Sequence, residues 1–80
     1  MEVIESPINA NVWKVLIKEN EKLQTQQVVV ILEAMKLEIS IKVDARLDQC
    51  VVRKVLVKSG DIIDSGSPIV ICAKQTPEVE

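Results

Sequence analysis

Apolar and polar positions along the chain fall into short runs of Val, Ile and Leu broken by clusters of polar and turn-forming residues. Runs rich in β-branched side chains and bounded in this way read as strands. They predict strands near residues 2–5, 11–18, 28–32, 38–43, 50–58 and 69–72, with turns at Ser6-Pro7, 19–27, 44–49 and 59–68. Thr76-Pro77-Glu78-Val79-Glu80 has little to bury and is expected to fray. One domain over residues 1–75 with a tail at 76–80 is the predicted organisation.

The pattern also repeats. Sliding the sequence against itself by forty positions sets Val12-Trp13-Lys14-Val15-Leu16-Ile17-Lys18 on Val52-Arg53-Lys54-Val55-Leu56-Val57-Lys58. Further on, Glu21 falls on Asp61, Leu23 on Ile63, Thr25 on Ser65 and Val30-Ile31 on Val70-Ile71. Each half is therefore strand, polar turn, strand, which predicts a quasi-two-fold β fold; two copies are too few for a solenoid. Gly60 and Gly66 suit backbone positions with positive φ. At the matching places the first half has Asn20 and Gln26, and Gln tolerates that conformation poorly. The first-half turn is expected to be the more strained or the differently built one.

Composition sharpens this picture. There are 13 Val, 10 Ile and 6 Leu against a single Trp and no Phe or Tyr, so the core of this all-β domain must be aliphatic. Eighty residues lie near the lower limit for a core that folds without disulfides or metals. No run of about 18 apolar residues occurs, so no membrane span is expected. Met1-Glu-Val-Ile-Glu lacks the features of a secretory signal, and a reducing, cytoplasmic setting is expected. Cys50 and Cys72 lie singly within apolar runs and read as small buried hydrophobes. Ten basic and twelve acidic residues give a net charge of −2, with lysines scattered singly; nucleic-acid and anionic-membrane binding are not expected.

One segment breaks the local rules. Leu32-Glu33-Ala34-Met35-Lys36-Leu37-Glu38 consists of strong helix formers, yet both flanks are strongly β. Seven residues make no stable isolated helix. The economical arrangement is a β-hairpin with Met35 and Lys36 at its tip, although no Gly, Asn or Asp supplies the usual tight-turn chemistry. Such a conflict between local preference and surrounding fold points to a functional site. The plainer reading is that Met35 covers a sheet edge and Lys36 is one more solvated charge.

Glu33-Ala34-Met35-Lys36-Leu37-Glu38 closely resembles the attachment motif of biotinyl domains, Glu-Ala-Met-Lys-Met-Glu, in which the lysine carries biotin. The resemblance covers roughly residues 5–73, from Ser6-Pro7 through the Val12–Ile17 run and the motif to the turn at Val57-Lys58-Ser59-Gly60-Asp61. It implies a flattened β-barrel of two four-stranded antiparallel sheets with quasi-two-fold symmetry and the attachment lysine on an exposed hairpin. Lys36 would carry covalent biotin, and Glu33, Ala34, Met35, Leu37 and Glu38 would be the surface that biotin protein ligase inspects. Related lipoyl domains place Asp before and Ala after their lysine, so Met35 and Leu37 favour biotin.

The chain departs from the family where Asn20 and Gln26 replace glycines. It also departs at residues 43–49, where an Ala-Pro-x-x-Gly turn gives way to a loop about three residues longer. No thumb-like insertion lies between Val12 and Glu33, and the Asn11–Leu16 stretch is similar to carriers at the end of urea carboxylase or urea amidolyase chains, or to small stand-alone attachment proteins.

The chain has no His, and neither Cys has an adjacent base, so no nucleophile–base pair or metal site is visible and the domain is not expected to be an enzyme by itself. The resemblance implies a monomeric carrier that moves a carboxyl group between the biotin carboxylase and carboxyltransferase domains of a biotin-dependent carboxylase, of the urea carboxylase/urea amidolyase or acyl-CoA carboxylase type. Two other readings stand beside it: an interaction module that keeps the biotinyl fold unmodified, which the lost turn glycines support, and a lipoyl carrier.

Overall fold

The computed structural model describes residues 1–74; the tail expected at 76–80 and the boundary at residue 75 lie outside the described residues. Seven strands form in order: β1 (Glu2–Glu5), β2 (Ala10–Val15), β3 (Val28–Ala34), β4 (Leu37–Lys42), β5 (Cys50–Val55), β6 (Ile62–Ile63) and β7 (Pro68–Lys74). They make two antiparallel sheets, ordered β1-β7-β5 and β4-β3-β2-β6. Alternation along each strand turns one face inward. Val12, Leu32, Val52, Ile69, Val70 and Cys72 are almost completely buried between the sheets, an aliphatic core as the composition predicts.

The halves are closed into one unit by sheet switching. After Val15 the chain leaves β3 and crosses to the other sheet, where the amides of Asn20 and Leu23 donate to the carbonyls of Val52 and Cys50 at 2.8 and 2.7 Å. After Val55 the second half makes the reciprocal crossing, and Gly60 N–H donates to the Val12 carbonyl at 2.8 Å. This crossing is why β2 and β5 end three residues before the predicted limits. Ile62 of β6 pairs with Asn11 of β2, and the residues at the equivalent places, Lys22 of the first half and Val51 of the second, form one isolated bridge. That bridge stands where the eighth strand of a fully symmetric pair of sheets would lie. The short β6 falls within the stretch read from sequence as a turn, since two residues are too few to show alternation.

Side chains fasten the two turns alike. The carboxylates of Glu21 and Asp61 accept from the amides of Lys18 and Lys58 at 3.1 and 2.9 Å. The side chains of Gln27 and Ser67 accept from the amides of Gln24 and Asp64 at 3.0 and 3.1 Å. Backbone strain separates them: Gly60 and Gly66 have φ of 98° and 88°, while Asn20 and Gln26 are held at 72°. A non-glycine residue there costs about 1–2 kcal/mol, partly offset in a glycine variant by about 0.5–1 kcal/mol of added unfolded-chain entropy. Gln26→Gly is therefore expected to raise stability by about 0.5–1 kcal/mol, read as a higher urea midpoint at unchanged slope.

The repeat loses its forty-residue offset at the first strand of each half. Val43 N–H donates to the Gln27 carbonyl at 2.9 Å as Ser6 N–H donates to that of Ser67 at 2.9 Å, so Val43 is the counterpart of Ser6 at an offset of 37. The three additional residues are the 3₁₀ turn Ala45–Leu47. Asp44 caps it, accepting from Arg46 N–H at 3.0 Å, and Leu47 plugs the core at 3% exposure. The Asp48 carboxyl is held below the usual carboxylate range, chiefly because it accepts from the Thr25 amide.

Cys50 and Cys72 are buried free thiols, as the sequence reading expects. Burial, and then the neighbouring Cys50, pushes the Cys72 thiol from 9.0 up to about 11. A proton held more tightly in the folded state gives stability that is complete below the unfolded value and is lost as pH rises through the folded one. Stability is expected to fall as pH rises from 9 to about 11, because the folded state keeps a proton that the unfolded chain releases. Urea midpoints across that range should show a shallower fall in Cys72→Ala than in the parent.

Candidate functional site

From Val30 opposite Ile41, β3 and β4 pair without a break up to Ala34 opposite Leu37, leaving Met35 and Lys36 as a two-residue loop. Both have positive φ, 51° and 67°, the combination that type I′ hairpin turns require and that Asn-Gly normally supplies. Here Met and Lys adopt it, at about 1–2 kcal/mol each. The seven helix-forming residues thus become strand, turn and strand because the β flanks fix the register on either side. Strain of this kind persists where the surrounding structure over-determines it and is concentrated at functional sites.

The hairpin thrusts the motif into solvent. Met35 is 94% exposed and Leu37 65%; Lys36 is exposed as well. Ala34 packs against the core and anchors the base of the tip. Glu33 and Glu38 are exposed and lie directly across from each other, a like-charge cross-strand pair that is unfavourable in isolation. Lys36 forms no ion pair among the described residues, in which Arg46–Asp44 is the pair formed. Its amine is accordingly free to enter another protein's site. An exposed side chain that leaves a two-residue turn, with no ion pair among the described residues, suits covalent attachment of a long prosthetic group. All six residues singled out from sequence are thus brought together at one end of the sheet.

Sequence reasoning missed the neighbours of this tip. Ile62, Asn11, Glu33 and Glu38 form one row across β6, β2, β3 and β4, and Ile62 in that row is 83% exposed. The repeat carried the signal: Ile62 occupies the place where the first half has the solvated Lys22. Among the described residues no group of His, Cys, Asp and Glu is arranged to hold a metal, and no helix is long and apolar enough to cross a membrane.

Comparison with known proteins agrees with this geometry. Residues 2–72 match the biotin/lipoyl family described as "Biotin-requiring enzyme". The chain is 52% identical over 69 residues to a protein of Emericella nidulans assigned as a urea carboxylase, covering 86% of this chain and 6% of that protein. It is 35% identical over 66 residues to the biotin/lipoyl attachment protein of Bacillus subtilis, covering 82% of this chain and 86% of that protein.

Among solved structures, urea carboxylase of Kluyveromyces lactis superposes with a TM-score of 0.78 at 25% identity, over 90% of this chain and 6% of the other. A single-chain, multi-domain long-chain acyl-CoA carboxylase gives 0.82 at 22% identity, over 92% and 7%. The lipoyl domain of the 2-oxoglutarate dehydrogenase complex of Azotobacter vinelandii gives 0.77 at 17%, over 95% and 100%; these last two likenesses show the fold alone. The chain spans only 6–7% of the carboxylases it matches. With a family match along nearly its whole described length and a strained hairpin that presents the motif lysine, the chain belongs to the biotin/lipoyl attachment-domain family of biotin-requiring enzymes.

Proposed function

We propose that this domain is a biotin carrier in which Lys36 is the residue modified by biotin protein ligase. The observation that carries this reading is the presentation of Glu33-Ala34-Met35-Lys36-Leu37-Glu38 on a turn whose two central residues both adopt positive φ without being glycine. A lysine amine becomes a nucleophile only after losing its proton, and the tip offers no base to take it, so the ligase must supply one. Deprotonated Lys36 Nζ then attacks the activated carboxyl carbon of biotin; the N–C bond forms as the activating group leaves, and an amide results.

Met35 and Leu37 give the ligase apolar contacts on either side of the lysine, while Glu33 and Glu38 add negative charge below it. Their mutual repulsion is relieved by a basic partner surface, which explains retaining like charges opposite each other. The same residues set the domain apart from a lipoyl carrier, whose lysine is flanked by Asp and Ala.

When bound, biotin supplies a ureido nitrogen that carries a carboxyl group. The domain's own residues contribute position. Ala34 and the paired strands hold the origin of the arm, and the exposed tip lets it enter separate biotin carboxylase and carboxyltransferase sites at high effective concentration. The 52% identity to the Emericella nidulans protein favours a urea carboxylase as the parent assembly. Co-expression with a biotin protein ligase and biotin, followed by intact mass and peptide mapping, is expected to show one biotin on Lys36. An unmodified chain beside a ligase of proven activity would favour the unmodified interaction module, and lipoylation by a lipoyl ligase instead would favour the lipoyl carrier.

A further inference from the structure

Beside the hairpin tip lies an open groove of about 470 Å³ whose lining includes Lys36, Glu33, Asn11, Ile62 and Asp64. Its volume is within the range of about 300–1,000 Å³ typical of small-molecule sites. Ile62 is the unexplained member. It sits on a two-residue strand at the sheet edge, almost fully exposed, where the equivalent position of the first half carries a lysine. Leaving such a side chain in water forfeits roughly 1.5–3 kcal/mol of burial. The residues around it are matched in chemistry to one compact polar ring: an amide at Asn11 and carboxylates at Glu33 and Asp64.

We propose that the biotin attached to Lys36 folds back into this groove when no partner holds it, its ring lying over Ile62. The inference rests on Lys36 being the attachment residue. A urea presents one acceptor oxygen and two N–H donors, and the Asn11 amide can donate to the former while the Glu33 and Asp64 carboxylates accept from the latter. Reach is consistent. Ile62 lies two strands from Glu33, about 10 Å at the usual spacing, and Lys36 is three residues beyond Glu33. Eleven bonds of about 1.5 Å separate the Lys36 Cα from the ring and span roughly 14 Å in zigzag. Because Lys36 itself lines the groove, the tether makes the docking intramolecular.

The test compares ¹H–¹⁵N spectra of the unmodified and biotinylated protein with those of Ile62→Lys, which restores the first-half residue type and, being a surface change, should leave the fold intact. Intact mass is recorded on every sample. The expected result is that biotinylation shifts the amides of Asn11, Ile62 and Asp64 as well as the tip, and that Ile62→Lys abolishes the shifts at Asn11 and Asp64 although its mass shows a full biotin. Streptavidin capture should also be faster in the variant, by about fourfold if three quarters of the parent is docked. Shifts confined to residues 34–37 in a fully biotinylated parent would overturn the groove and leave Lys36 standing. Absence of the biotin mass, with an active ligase, would overturn both.

Discussion

Lys36→Arg is expected to abolish biotin attachment, with no signal at the biotin mass and none on a streptavidin blot, while the far-ultraviolet spectrum and the melting temperature stay close to those of the parent. The guanidinium keeps the positive charge but offers no amine that can be deprotonated and acylated under ligase conditions. Lys36 is exposed and outside the core, so the substitution should change stability by no more than about 0.5 kcal/mol. The backbone strain at φ 67° is retained, because arginine is as ill-suited to that conformation as lysine. The separation of effects is what matters: total loss of modification on an intact fold identifies a chemical role. Unfolding of this variant, or a biotin found on one of the other lysines, would remove Lys36 from the proposed mechanism.

The second large effect concerns the sheet that carries the tip. Leu32 is completely buried and pairs with Ile39 across the hairpin, so Leu32→Ala opens a cavity directly beneath it. Such truncations cost about 2–5 kcal/mol. A domain of this size has about 4–12 kcal/mol in total, at roughly 0.05–0.15 kcal/mol per residue. The expected outcome is a loss of around half the stability, seen as a large drop in urea midpoint without a change of slope and a fall in melting temperature of about 8–40 °C. Biotinylation measured well below that temperature should persist, because the register of Glu33 with Glu38 and Ala34 with Leu37 is set by backbone pairing along the whole hairpin. An unfolding free energy within about 0.5 kcal/mol of the parent would show that the hairpin does not depend on this core contact.

Much of the architecture could be read from residue order because the physics involved is local. Alternating Val and Ile between polar clusters marks strands; the forty-residue repeat marks two matched halves; and helix formers trapped between β flanks mark a forced turn at Met35 and Lys36. The positive φ at Asn20 and Gln26 was likewise deducible, since glycines stand at the equivalent places of the second half. The six residues of the motif were legible as a candidate site for the same reason, all of them lying within one hairpin.

What the tertiary structure alone decided are the relations between residues distant in sequence. Ile62 meets Asn11, and Asn11 meets Glu33, only because the chain switches sheets after Val15 and again after Val55, and no local pattern encodes that crossing. The strand Ile62–Ile63 is too short to alternate and acquires its conformation from β2, while Lys22 at the matching place makes just one bridge. The three-residue turn Ala45–Leu47 reads as surplus loop until Leu47 is seen to fill the core. Local propensity determines which segments extend and where they turn; closing one sheet upon the other determines which exposed side chains become neighbours, and so sets Ile62 in one row with Asn11 and Glu33.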